Sequence, residues 1–572
     1  MSGDILLLVL LAVPLIGAIV VWTLGPNRGS EVRAVSVICS LIVLAASFGL
    51  ASAYLKLERE IPDAKGVAVP TFMPEFVPGS SPENPHQTNW NLLPLGNGNI
   101  QFYLGVDGLN IWLVVLTAVL MLPSVLVSFH QITERVNEFY AWLLALQTCM
   151  IGVFLSFDII LFYVFFEVSL IPLFFLIGIW GGSQRQYAAR KFFVYTLTGS
   201  LITLLGVLGV VIACYGATQK LSFAIPELIS VVNTQLASNQ DQVRSYWRGV
   251  QIWTFLAMSV GFAVKVPLMP FHTWLPLAHV EAPTAGSVDL AGVLLKIGSY
   301  GFLRLCIPLA PDFSITLGLP LICGLSAVGI LYGAMCAFAQ DDVKRLIAYS
   351  SVSHLGLCML GMFSLNMVGI QGSIMQMINH GLSTGALFLL IGMLYERYHT
   401  RKMKDYSGMA RKMPLFGVCL VFASLSSVGL PGLNGFIGEF LCLAGIYQYE
   451  ANFNGLKILP IFTVLGASGL VLGAWYLFTM LRKILFGPVH EPVHHGEPIS
   501  DLSPREWGML VPIFLLCVII GVYPRPILRT AEPDVARIAM VVEKARERGS
   551  SPLFRNSRAS ANLESPTSRI SQ

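Results

Sequence analysis

Charge is scarce in this chain of 572 residues: Asp, Glu, Lys and Arg together make up 12%, about half the share usual in a soluble domain. That shortage excludes an ordinary soluble globular protein. The net charge is only +4, so there is no basic surplus with which to hold nucleic acid. The ten cysteines never form a CxxC pair, which excludes the usual iron–sulfur and structural zinc spacings. Most of them, such as Cys149, Cys214, Cys323 and Cys442, lie in apolar runs and read as small buried hydrophobes. No GxGxxG follows a strand-like run, so no dinucleotide fingerprint is present. The first apolar run lacks a basic leader and carries Asp4. Without a small-residue cleavage site it is expected to remain as the first span.

Apolar residues fill the space that charge leaves. They make up 55% of the chain, and the mean hydropathy is +0.69. Runs such as Ile5–Leu24, Val35–Leu55, Ile111–Phe129 and Leu317–Phe338 are each long enough to cross a bilayer. Hydropathy predicts about 14 spans and an all-α polytopic membrane fold. Polar stretches separate them at Lys56–Asn99 and Lys220–Arg248, and Arg546–Gln572 is too polar to form a packed core. Basic residues gather in Gly181–Lys191, Gln340–Arg345 and Tyr395–Pro414. Short basic loops face the cytoplasm, which puts the Lys56–Asn99 loop and both termini outside. His490, His494 and His495 cluster in a loop, and that cluster reads as solvated rather than metal-binding.

Against this apolar background, a few ionisable residues stand out. Each costs about 2.5–3.5 kcal/mol to insert, so each is expected to face protein or water. Glu167 lies nine residues after Asp158, roughly 13 Å along a helix and near mid-membrane. Lys265 lies two residues before Pro267 and five before Pro270, so a helix breaks beside it and frees backbone groups. Lys296 sits centrally in its run, with Asp289 and Arg304 towards its two ends. His354 and His380 occupy successive runs, where a proton relay and a hydrogen-bonded core role are both open. Glu439 adjoins a second break, in "SSVGLPGLNGFIGEF" (Ser426–Phe440). Interrupted helices at matching places in two halves point to an inverted repeat.

Five stretches carry a specific resemblance: "FHTWLPLAHVEAPTAGSVDLAGVLLKIGSYGFLR", "DVKRLIAYSSVSHLG", "MINHGLSTGALF", "LYERYHTRKM" and "GLPGLNGFIGEF". They resemble the antiporter-like M chain of bacterial respiratory complex I, NADH:quinone oxidoreductase, the counterpart of mitochondrial NADH dehydrogenase subunit 4. The likeness runs from about Gly105 to Arg529. It implies two inverted five-helix repeats, each with a broken helix. The implied divisions are two N-terminal helices with an external loop (1–104), a proton-translocating core (105–530) and a partly disordered polar tail (531–572).

In that family Glu167 and Lys265 resemble the carboxylate–lysine pair of the first half-channel, and Lys296 the central lysine. His354 and His380 match relay positions, and Glu439 the terminal carboxylate, where the sister L and N chains usually carry lysine. Leu277 departs from the pattern, since an Asp or Lys is common there. The resemblance implies a translocase subunit in the bacterial cytoplasmic membrane, beside the L and N chains and lipid, with no redox centre or metal of its own. NADH, flavin, iron–sulfur clusters and quinone are expected on partner subunits. An Mrp-type cation/proton antiporter subunit, or the membrane subunit of a proton-pumping hydrogenase, is the alternative.

Overall fold

The computed structural model describes residues 2–59, 71–448, 459–492 and 499–548, with the backbone of four residues between 452 and 457. Among the described residues, the chain is a bundle of helices with two short hairpins, Asn91–Leu95 with Gly98–Gln101 and Asn452–Phe453 with Leu456–Lys457. The helices are α1 (Gly3–Leu24), α2 (Gly29–Leu55), α3 (Ile111–Gln131), α4 (Val136–Leu155), α5 (Ile159–Val168), α6 (Leu170–Trp180), α7 (Arg185–Thr218), α8 (Ile225–Leu236), α9 (Asp241–Lys265) and α10 (Leu275–Glu281). There follow α11 (Thr284–Leu309), α12 (Pro311–Phe338), α13 (Val343–Met362), α14 (Met367–Tyr398), α15 (Pro414–Val428), α16 (Asn434–Tyr447), α17 (Leu459–Leu485), α18 (Pro504–Val522) and α19 (Arg525–Glu547).

Among the described residues, eleven helical stretches are long and apolar enough to cross a membrane, and the protein is a multi-pass membrane protein. Three further parts of the bundle, α9, α13 and the α15–α16 pair, fall outside that set because polar residues or a break lower their hydropathy or length.

The two spans that carry the central polar groups are also the most enclosed. Every residue of the central apolar window of α11 and of α14 is buried by other helices, whereas less than half of the windows of α1 and α2 are. This burial answers the insertion cost, because an ionisable group on a helix that never meets lipid needs only protein partners. α11 is not a regular α-helix. It widens into π-turns at Leu290–Leu294 and Phe302–Cys306, and Lys296 lies between them. Such wide turns redirect backbone carbonyls and recur at functional sites.

Asp289 and Arg304 stand towards the two ends of α11, as their spacing implies, and both are buried. Asp289 Oδ1 accepts from Ser124 Oγ at 2.9 Å, and Arg304 pairs with Asp107. One sequence expectation needs correction: the polar tail begins later than residue 531. α19 runs to Glu547 and buries Ile527, Ala531, Val535, Ile538, Val541 and Ala545 on one face. Arg546 donates to the Leu365 carbonyl and Arg548 to Asp312 at 2.7 Å, so both belong to the packed protein. Residues 549–572 lie outside the described residues, as do His494 and His495 of the histidine cluster. His490 exchanges backbone hydrogen bonds with Ser407. Of the ten cysteines nine are buried, Cys336 is half-buried and none is in a disulfide.

Candidate functional site

The first break is built around Lys265, the last residue of α9. The chain leaves the helix at Val266 and resumes at Leu275 in α10. A helix end frees carbonyls that need donors. Here the Trp274 indole donates to the Val264 carbonyl at 2.9 Å, so the break closes on itself. α11 presses against this point through Gly298, where a Cβ would meet Val266 at 2.7 Å and Lys265 at 3.0 Å.

The Lys265 side chain is 3% exposed, and its ammonium lies 4.9 Å from the centre of the Phe166 ring. Among the described residues it has no hydrogen-bond partner. A cation over an aromatic face is attracted to it by about 1–2 kcal/mol when desolvated. The next residue along α5 is Glu167, the charged group whose field acts on the lysine. One oxygen of Glu167 is likewise buried without a partner. Asp158 opens this helix as its N-cap, accepting from the backbone N–H groups of Ile160 and Leu161. It thereby sets where Glu167 falls along the span.

The second break lies between α15 and α16. α15 ends at Gly429, which takes the left-handed conformation at φ 76°. A side chain there would be strained, and its Cβ would also run into Glu439 Oε2. Glycine is therefore required twice over. Glu439 is 3% exposed, and its Oε1 lies 3.5 Å from His354 Nδ1 on α13. Two asparagines fasten the break to α14. Asn379 donates to the Asn434 carbonyl at 2.6 Å, and Asn434 donates back to the Asn379 carbonyl at 3.3 Å. Ser426 Oγ adds a 2.6 Å bond to Asn434 Oδ1.

Lys296 joins this second group. Its ammonium donates to the Ala291 carbonyl in the first π-turn of α11, and it lies 2.7 Å from His380 Nδ1 on α14. The ring centres of His380 and His354 are 5.8 Å apart. The structure thus brings Lys296, His380, His354 and Glu439 into one line across α11, α14, α13 and α16. It leaves Glu167 and Lys265 as a separate pair, with no hydrogen bond from Lys265 to the line. Each histidine of the line keeps its Nε2 buried and unpartnered.

Asn379 and Asn434 are partners that a search for ionisable residues passes over. His279 is ionisable, but the sequence does not single it out. It is fully buried, stacks on Phe388 at 4.7 Å, and among the described residues neither of its ring nitrogens has a partner. Among the described residues no group of three or more His, Cys, Asp or Glu is placed to hold a metal.

Comparison with known proteins agrees with this architecture. Residues 156–466 match the family model described as NADH:quinone oxidoreductase/Mrp antiporter, transmembrane. NADH-quinone oxidoreductase subunit M of Pseudomonas aeruginosa is 38% identical over 525 residues, 91% of this chain and 94% of that one. The chain belongs to the NADH-quinone oxidoreductase subunit M family.

A chain of respiratory complex I from Thermus thermophilus, solved with bound NADH, superposes on this member of the family with a TM-score of 0.73. It is 29% identical, and the match covers 93% of this chain and 99% of that one. A chain of the Mrp complex from a Dietzia species reaches a TM-score of 0.74 over 96% of this chain and 99% of its own, at 18% identity. That likeness shows the fold alone. The subunit M fold is thus shared with a chain of the Mrp complex.

Proposed function

We propose that the chain conducts protons as a membrane subunit of an NADH:quinone oxidoreductase in a bacterial cytoplasmic membrane, beside the sister L and N chains. NADH, flavin, iron–sulfur clusters and quinone belong to partner subunits, and this chain carries the coupled proton movement. The observation that carries the reading is the buried line Lys296–His380–His354–Glu439, in which each group is titratable and touches or faces the next.

In this reading Glu167 and Lys265 form the switch. An anionic Glu167 favours a protonated Lys265, and neutralising or withdrawing the carboxylate releases the proton. Two unit charges about 6 Å apart at an effective dielectric of 20 interact by roughly 3 kcal/mol. Moving one charge against 100 mV costs about 2.3 kcal/mol, so a switch on this scale is adequate. Lys296 takes up the proton, and His380 and His354 pass it on. A neutral imidazole accepts on one nitrogen and donates from the other, which suits both histidines to a hand-over. Glu439 at the second break delivers the proton outwards.

The test is Lys296→Ala in the complete complex, reconstituted in vesicles. Proton uptake driven by NADH oxidation is expected to be lost while the complex still assembles. Near-normal uptake per NADH in the assembled variant would refute the relay.

A further inference from the structure

The span that carries Lys296 continues past it towards the side opposite the basic loops, and there a second charged cluster closes it. Arg304 lies eight residues beyond Lys296 on α11, about 12 Å along the helix. Its guanidinium makes a bidentate pair with Asp107 at 2.6 and 2.7 Å, and its Nε donates to the Tyr300 hydroxyl at 2.9 Å. It also lies over the Phe157 ring at 4.7 Å. Tyr300, one turn beyond Lys296, donates to the Phe154 carbonyl at 3.1 Å. The Arg304 and Asp107 side chains are only 1% and 2% exposed. A guanidinium is always charged and accepts no proton, and here its donors are committed to Asp107 and Tyr300, so it has none to pass on. Chemically this cluster is a stopper and not a relay.

The stopper is fastened from outside. Asp107 belongs to the segment leading into α3, and the next residue, Gly108, donates its N–H to Asp534 Oδ2 on α19 at 2.7 Å. A side chain at position 108 would run into the Thr530 carbonyl, so the α19 backbone rests directly on this segment. Asp534 is buried and also binds Arg59, at 3.1 Å to Oδ1, and Arg537 at 2.6 Å. Trp112 to Thr530 at 2.7 Å and Arg548 to Asp312 at 2.7 Å tie down the rest of α19. An apolar face alone would hold an amphipathic helix in place. A buried carboxylate shared between two arginines and the Gly108 N–H does something more specific, since it fixes the segment that carries Asp107.

We propose that Asp534, acting through Gly108, holds the Asp107–Arg304 pair closed as a seal on the Lys296 span, so that a proton on Lys296 leaves only sideways through His380. Asp534 is then a positioning residue. The inference rests on the relay reading above, because a seal matters only if Lys296 carries protons.

The test uses the complete complex in proteoliposomes and measures the decay of an imposed pH gradient without NADH, together with NADH:quinone reduction. Asp534→Ala is expected to accelerate the decay several-fold and to lower proton uptake per electron, with the reductase rate maintained. Adding Lys296→Ala is expected to return the decay to the unmodified rate, because the leak runs through that lysine. A leak that persists in the double variant means general loosening and overturns the proposal. An unchanged decay in the assembled single variant also overturns it. If Asp534→Ala does not assemble, Gly108→Ala keeps every charge and drives the same segment off α19, because the new methyl would run into the Thr530 carbonyl. The same leak and the same reversal are expected at smaller amplitude, and their absence is equally decisive. Intact pumping in Lys296→Ala alone would instead refute the relay.

Discussion

The two broken helices set an ionisable residue beside a gap in the backbone and then treat it differently. At the first, Lys265 has a ring face and an acidic neighbour but no hydrogen bond. At the second, Glu439 faces His354, and two asparagines fasten the gap to the helix that carries His380. A group without hydrogen bonds has its charge state set by the field around it. A group linked to neighbours hands its proton along. On the proposed reading, the first break is therefore a switch and the second an outlet, although the sequence presents both as an apolar helix interrupted beside a charge.

The largest effect that would break this comparison is at the first break. Lys265→Ala and Glu167→Gln are each expected to abolish proton uptake in an assembled complex. In a double-mutant cycle on residual activity their effects should be non-additive by about 0.5–3 kcal/mol. Additive losses would mean that the two groups do not sense each other. Glu167→Asp, which keeps the charge, should retain part of the activity.

Gly429→Ala tests the second break without removing any titratable group. Forcing a side chain into a left-handed position costs about 1–2 kcal/mol, and the new methyl displaces the Glu439 carboxylate. Proton uptake should fall severely although Lys265, Lys296 and Glu439 are all present. Normal uptake would show that the position of Glu439 does not matter.

Asn379→Ala should act more mildly, chiefly on stability. It leaves the Asn434 carbonyl without its 2.6 Å donor, a loss of about 1–3 kcal/mol. A lowered unfolding temperature of the purified complex with partly preserved uptake is expected. The corresponding change at the first break, Trp274→Phe, removes one donor to Val264 and should cost a similar amount.

The smallest effect concerns the outer fastening and its response to pH. Burial pushes the Asp534 carboxyl up, but the charge and hydrogen bonds of Arg59, with Arg537 and the Gly108 N–H, outweigh this and hold it below the usual carboxylate range. The other titratable groups around Arg59 are Tyr54, Asp107 and Glu75, of which Tyr54 is neutral in this pH range. A depressed carboxylate contributes stability that is complete above its unfolded value, about 4, and is lost as pH falls through the lower folded value. Protection of α19 from proteolysis should therefore stay level from pH 9 to 5 and decline only below about pH 4. A decline already between pH 6 and 5 would place the controlling group elsewhere.

The sequence made the helical membrane fold and the positions of Lys265, Lys296, His354, His380 and Glu439 legible, because an ionisable residue in an apolar run is costly and so conspicuous. It did not make legible which of these residues meet. Hydropathy measures depth along a span but not what surrounds it. For that reason the sequence shows Asp289 and Arg304 towards the ends of their run but not that α11 is enclosed throughout, with both charges buried. Asn379 and Asn434 escaped notice because an uncharged amide raises no alarm in a hydropathy scan, although its hydrogen bonds hold the break. In α19 the apolar spacing Ile527, Ala531, Val535, Ile538 is helical, but the surrounding Arg, Glu and Pro residues disguised an amphipathic helix as a polar tail.

The central claim, that Glu439 transmits protons and does more than hold the fold, is tested most directly at its own position. Proton uptake per NADH oxidised should be measured in vesicles for Glu439→Gln and Glu439→Lys after equal assembly has been verified. A relay needs a titratable group more than a particular sign of charge, so Lys is predicted to retain a measurable fraction of uptake and Gln none. A structural glutamate requires the reverse order, because Gln preserves shape and hydrogen bonding and Lys does not. Gln pumping better than Lys would contradict the account.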